Sequence, residues 1–369
     1  MDKIDKAIMD MLMINMGYKE GETVAIVGQS WEEHLGEENK QKMQNSLDLC
    51  ERMFQVYHSN NVDTTLILYT PEKPQSGVDV SKTVYERAKF RDIIFEPTAF
   101  SITHTPFTKA QEERGARIAS MPTFTLDMFA ENGPMNVDYK EIVEYTNKIV
   151  KNLRENKFAR VEGPGTLMSI EIDNQTAHSS DGLMSKPGES GNLPGAEAYA
   201  VPVYNGKSYG CLTVPKGWGG DVPLPYKTTF FVKDGKFIDV LALTEEGFDA
   251  LEKFKENMIY YPDTILNYIE MLKVAGIDKQ GQEYLNKEIK PKIFSQPGYE
   301  ILAELGIGTN KAVTAESIKR FGWSPLLAEK IYQTAHFANG RSVNLGGIND
   351  VDIHLDWVVP ITSILYTKN

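Results

Sequence analysis

Apolar positions in the first third of the chain switch repeatedly between two periods. Short runs dense in branched and aromatic residues, GETVAIVGQS (21–30), VDTTLILYTP (62–71), RDIIFEPTAF (91–100) and ARIASMPTF (116–124), predict strands. Between them lie stretches with helical spacing, among them Asn39 to Ser59 and the TKAQEERG segment. Strands separated by helices predict a parallel sheet with helical crossovers, an α/β domain. Gly28 stands alone, without the GxGxxG or GxxxxGKS spacing of a phosphate loop.

The texture changes after ENGPMNVD (131–138), a turn-rich linker. A helix is predicted from Asp138 to Glu155, with Ile142, Val143, Ile149, Val150 and Leu153 at helical spacing. From Lys157 to Leu243 short β-runs follow one another, separated by Gly, Pro, Asn and Asp and including a KDGK hairpin at 233–236. Helical spacing returns at Thr244 to Asn257, and the chain closes on strands. The 369 residues exceed the roughly 250 to 300 at which a single core stops growing. Two domains are expected: an α/β domain over 1–135 and an α+β, β-rich domain over 136–369.

One late run carries an anomaly. In VDIHLDWVV (351–359), Ile353, Leu355 and Trp357 share one strand face, which leaves His354 and Asp356 together on the other. Burying an imidazole and a carboxylate without partners costs on the order of a few kcal/mol. A metal ion would satisfy both, and so would a local hydrogen bond.

Composition narrows the function classes. Hydrophobic content of 41% and charged content of 24% are ordinary for a soluble globular protein. No apolar run approaches the ~20 residues of a spanning helix, so no membrane segment is expected. The opening MDKIDKAIMDMLMINMGYKEGE is interrupted by charges and predicts a first helix rather than a secretory signal. Cys50 and Cys211 lie far apart and form no redox or metal spacing, consistent with a cytoplasmic protein. A net charge of −12 without a basic run argues against a nucleic-acid partner.

Six histidines are available. His34, His58 and His178 sit among polar or loop residues and read as solvated. His336 ends SPLLAEKIYQTAHFANG, where Ser324 as N-cap, Pro325 at the first position and Gly340 beyond the end predict a helix carrying His336 in its last turn. There it would be either a ligand or a partner of the helix carbonyls. Glu304 lies in an apolar run, EILAELGIGTN, that ends in a Gly-punctuated turn, and Glu197 opens a β-run in GNLPGAEAYAVP. Glu197, Glu304, His336, His354 and Asp356 form a pool of nitrogen and oxygen donors suited to Zn, Mn, Co or Fe(II). That pool is large enough for a two-metal hydrolase, with ions ~3.5 to 4 Å apart, or for a single non-haem iron with two histidines and a carboxylate.

In this order, GNLPGAEAYAVP, AELGIGTN, HFANG and DIHLDWVV resemble the thermophilic-type metalloaminopeptidases, the aminopeptidase T and aminopeptidase S family, and SITHTPFTKAQEERGARIASMP resembles that family's α/β domain. The resemblance implies a homodimeric hydrolase that removes amino-terminal residues from peptides with two divalent metals. Its ligands would be Glu197, Glu304, His336, His354 and Asp356, with Glu304 as bridge or proton acceptor. One departure stands out: those peptidases carry a tyrosine seven residues after the histidine of HxAxG, and here that position is Val343. A second resemblance, to the 2,5-dihydroxypyridine dioxygenases of similar architecture, implies a single Fe(II) that opens the ring of a small aromatic substrate. His354 and Asp356 would then be ligands, and His104 of SITHTP an acid-base group. A non-catalytic relative that keeps the fold and binds metal or a small ligand is the third expectation.

Overall fold

The computed structural model describes residues 2–220, 223–322 and 324–368. They fall into two compact units. One comprises Met1–Ile142, Ser180–Gly195 and Lys311–Gly322, and the other Val143–Ser179, Ala196–Asn310 and Trp323–Asn369.

The first unit is the α/β part. Its strands β1 (Thr23–Gln29), β2 (Asp63–Tyr69), β3 (Ile93–Glu96) and β4 (Arg117–Ser120) coincide with the four runs of branched residues. A further strand, β8 (Ser190–Asn192), joins the edge in the order β2-β1-β3-β4-β8, and every pair is parallel. Its SGN sequence has no strand propensity, so nothing in the pattern announced it. Helices Lys40–Ser59, Lys82–Ala88 and Pro106–Glu113 supply the crossovers, the last capped by the Thr105 hydroxyl with Pro106 at its first position. At the end of β3, Glu96 is fully buried (0% exposed) and accepts a hydrogen bond from Thr108 Oγ1 at 3.0 Å. Burial pushes its carboxyl up to about 8.

The second unit is β-rich and built on two antiparallel sheets. The larger has the order β12-β11-β10-β6-β5-β16. It comprises β5 (Phe158–Gly163), β6 (Thr166–Glu171), β10 (Tyr209–Val214), β11 (Thr228–Lys233), β12 (Lys236–Ala242) and β16 (Ser363–Thr367). Asp234 and Gly235, both at positive φ, turn β11 into β12 as the KDGK hairpin requires. The smaller sheet runs β15-β14-β13-β9-β7. Its strands are β7 (His178–Ser180), β9 (Glu197–Ala200), β13 (Leu302–Gly308), β14 (Thr334–Gly340) and β15 (His354–Pro360). One face of this sheet contributes Leu305, Ile307, Phe337, Leu355 and Trp357 to a core shared with Leu212, Phe230 and Val240 of the larger sheet. Phe230 and Trp357 lie ring on ring at 4.5 Å.

The predicted helix over Ser324 to Gly340 is corrected. Only Pro325–Ala328 is helical; the chain then turns through Gln333, at φ 59°, into β14. From Thr334 onward alternation wins over helical spacing, because Ala335 and Phe337 enter the core while His336 and Ala338 face away from it. His336 therefore sits in mid-strand, not at a helix end. Glu304 is likewise inside a strand rather than before a turn, since β13 continues through both of its glycines.

Candidate metal centre

The site occupies the face of the smaller sheet opposite the core. Register fixes its layout: Gly308 opposes Glu197, Gly306 opposes both Tyr199 and His336, Glu304 opposes Ala338, and Ala338 opposes Asp356. Four adjacent strands thus bring Glu197, Glu304, His336, His354 and Asp356 onto one surface. A β-bulge between Leu302 and Glu304 is essential to this layout. Uninterrupted alternation would send Glu304 to the same face as Leu302, into the core; the extra residue, Ala303, turns it to the site face.

Two glycines make room. A Cβ on Gly306 would lie 2.0 Å from His336 Cε1, so the imidazole occupies the space that any other residue would fill. A Cβ on Gly308 would lie 2.0 Å from the Ile331 carbonyl oxygen, so the turn before β14 lies directly on β13. That turn carries Lys330, whose side chain reaches Glu197, the residue paired with Gly308.

The distances describe a crowded polar cluster. His336 Nε2 lies 2.9 Å from Glu197 Oε1, 3.5 Å from Glu304 Oε1 and 4.0 Å from Asp356 Oδ1. His354 Nε2 lies 3.2 Å from Glu304 Oε2 and 3.5 Å from Asp356 Oδ1. Two ligand groups result, Glu197 with Glu304 and His336, and Glu304 with His354 and Asp356. Glu304 belongs to both and offers a different oxygen to each. Nδ1 of His354 meets the Arg341 carbonyl at 2.7 Å, which orients the ring and leaves Nε2 toward the cluster. Asp356 Oδ1 is buried without a hydrogen-bond partner, and a cation would satisfy it.

Electrostatics point the same way. Burial alone would raise the carboxyls of Glu197 and Glu304, yet Lys330 and His336 hold the first, and His336 and His354 the second, below the ordinary value. Burial opposes a charge on His354, but Asp356 and Glu304 raise it to about 12. The acids favour positive charge beside them, which protons on the two imidazoles or a metal ion would both supply. Zn, Mn, Co and Fe(II) all suit this donor set.

Three residues here escaped the sequence reading. Lys330, 1% exposed, binds both Glu197 and, at 2.9 Å, Glu329. Burial lifts Glu329 to about 7, a range useful for carrying protons near neutrality. Tyr199, half-buried on the ligand face, keeps its phenolic proton because burial and the neighbouring Glu197 raise it to about 12. The only sequence signal was spacing two from Glu197. His178 is exposed on β7, its ring tilted 45° to that of Tyr199 at 6.0 Å, so it lies in a strand rather than a loop but is solvated as expected. His104 belongs to the first unit, exposed in the turn ahead of Pro106–Glu113. Cys50 and Cys211 are both buried and free. Among the described residues no helix is long and apolar enough to cross a membrane.

No protein-family model and no curated protein sequence matches the chain. Solved structures share its fold over nearly its whole length. The 2,5-dihydroxypyridine dioxygenase from Pseudomonas putida KT2440 superposes with a TM-score of 0.63 at 11% identity, covering 96% of this chain and 91% of that one. AmpT from Thermus thermophilus superposes with a TM-score of 0.54 at 11% identity, covering 98% and 94%. At this identity the likeness is one of fold, and it joins this chain to the architecture of a dioxygenase and of AmpT alike.

Proposed function

We propose that this protein is a metal-dependent aminopeptidase, hydrolysing the amino-terminal bond of peptides at the cluster on the smaller sheet. The observation that carries the reading is Glu304, whose two oxygens face two different histidine-containing groups. A carboxylate shared in this way is what a pair of divalent ions requires as a bridge. Glu197 and His336 would complete one position, His354 and Asp356 the other. Divalent ions held there supply Lewis acidity toward a peptide carbonyl and make water acidic enough to attack at neutral pH. Glu304, engaged on both oxygens, serves as bridge rather than proton acceptor. Glu329, partly exposed and titrating near neutrality, is the residue suited to hold and pass a proton. Tyr199 presents a phenolic O–H donor on the same face, a group that Val343 cannot provide.

One observation favours a second reading. Asp356 Oδ1 stands 3.5 Å from His354 Nε2 and 4.0 Å from His336 Nε2, a two-histidine, one-carboxylate arrangement of the kind that holds Fe(II) in ring-opening oxygenases. Metal analysis of anaerobically purified protein separates the two, read with release of p-nitroaniline from a leucyl substrate and oxygen uptake with a dihydroxypyridine. Two Zn, Mn or Co per chain with amide hydrolysis supports the peptidase. One iron with oxygen uptake overturns it in favour of the dioxygenase.

A further inference from the structure

We infer that the two metal positions are built to be unequal, and that Lys330 is the positioning residue that makes them so. The inference rests on the two-ion reading above. Lys330 lies at the Glu197 position: its ammonium is buried against Glu197 Oε2, whereas among the described residues Glu304 and Asp356 pair with the two histidines and with no lysine or arginine. With both imidazoles neutral, as ligation requires, the three ligand carboxylates and the one ammonium leave a charge of −2 (−3 plus 1), which one divalent ion cancels; Glu329 touches the ammonium but is not in either ligand group. The first ion therefore belongs to Glu304, His354 and Asp356. A second ion must enter beside a fixed positive charge, in a buried setting where screening is weak. Lys330 also occupies one oxygen of Glu197, so this carboxylate offers the ion a single oxygen, Oε1, the one already turned to His336 Nε2. The close approach at Gly308 shows that the arrangement is built into the backbone and does not depend on a flexible surface lysine.

The test is equilibrium dialysis of the full-length, chelator-stripped protein against Mn²⁺ alone, with bound metal counted at each concentration and folding followed by circular dichroism. The wild-type chain is expected to fill in two steps separated by about tenfold or more in concentration. Lys330→Met should tighten the second step toward the first, while Lys330→Arg keeps the charge and the separation. Should Lys330→Met fail to fold, Glu329→Gln provides the opposite arm: it removes the competing partner of the ammonium, strengthens its hold on Glu197, and should weaken the second step. One ion in the wild type and two in Lys330→Met would be the extreme form of the same result. Two equal steps in the wild type, or a second step indifferent to these substitutions, overturns the inference and leaves the aminopeptidase reading standing. Absence of any bound Mn²⁺ overturns both.

Discussion

Glu96 at the end of β3 and Glu304 in β13 are both glutamates on interior strands, 0% and 5% exposed, and their carboxyls move in opposite directions. Glu96 has a hydroxyl for company and rises to about 8, so it keeps its proton at neutral pH. Glu304 has two imidazoles and falls below its ordinary value. Burial by itself makes a neutral acid; burial beside cations keeps a charged carboxylate. The two units use the same residue type for different ends, and the difference lies in the partners: a hydroxyl from a crossover helix for Glu96, imidazoles from facing strands for Glu304.

The largest way to sharpen this contrast is to take cations away. Chelation should destabilise the protein relative to the reloaded form by about 4 kcal/mol when the free ion exceeds its Kd a thousandfold. A melting temperature unmoved by chelator and by added Zn²⁺ or Mn²⁺ would show that the cluster holds no stabilising ion. His354→Ala should lower metal occupancy in the same experiment.

Glu96 answers to pH instead. Its folded-state value, about 8, lies above the ordinary 4.5. As pH rises through that window the unfolded carboxyl ionises while the folded one holds its proton, so stability falls by about 1.4 kcal/mol per pH unit and levels off above 8. Glu96→Gln cannot ionise and should flatten the profile, equal to the wild type near pH 5 and more stable near pH 8. Parallel melting-temperature curves for the two proteins would contradict this.

A smaller effect is expected from Gly306→Ala. The added methyl group would strike the imidazole of His336, and overpacking of this kind costs about 1 to 3 kcal/mol. The variant should lose an ion although no ligand has changed, and unchanged metal content would show that His336 can shift without cost. Smallest of all is Glu131→Gln, which breaks an ion pair with Lys3 whose side chains are both 68% exposed. Its melting temperature should match the wild type, because water already solvates both partners.

Much of this was legible in the sequence where chemistry and period coincide. The parity of VDIHLDWVV separated His354 and Asp356 from the core residues correctly, and the four parallel strands of the first unit followed from their branched residues. His336 was misplaced because Ser324 and Pro325 are a strong helix-start pair and TAHFANG is too short for alternation to declare itself against it. Lys330 was invisible for a different reason. A lysine beside a glutamate in a helical stretch looks like a solvated pair, and only the close approach at Gly308, a tertiary fact, buries it. The bulge that aims Glu304 also depends on pairing with β14 and leaves no local signature.

The order of the ligands along the chain has a consequence during synthesis. A nascent polypeptide that has reached Gly340 already carries Glu197, Glu304, Lys330 and His336, but not His354 or Asp356. At that stage the only complete ligand group is the one containing Glu197, and the ammonium of Lys330 stands at its side, neutralising an acid that would otherwise attract whatever ion the surroundings offer. The group without that guard closes only when β15 pairs with β14. On the two-ion proposal, the tighter position would therefore be complete only once β15 has paired with β14, late in the formation of the sheet.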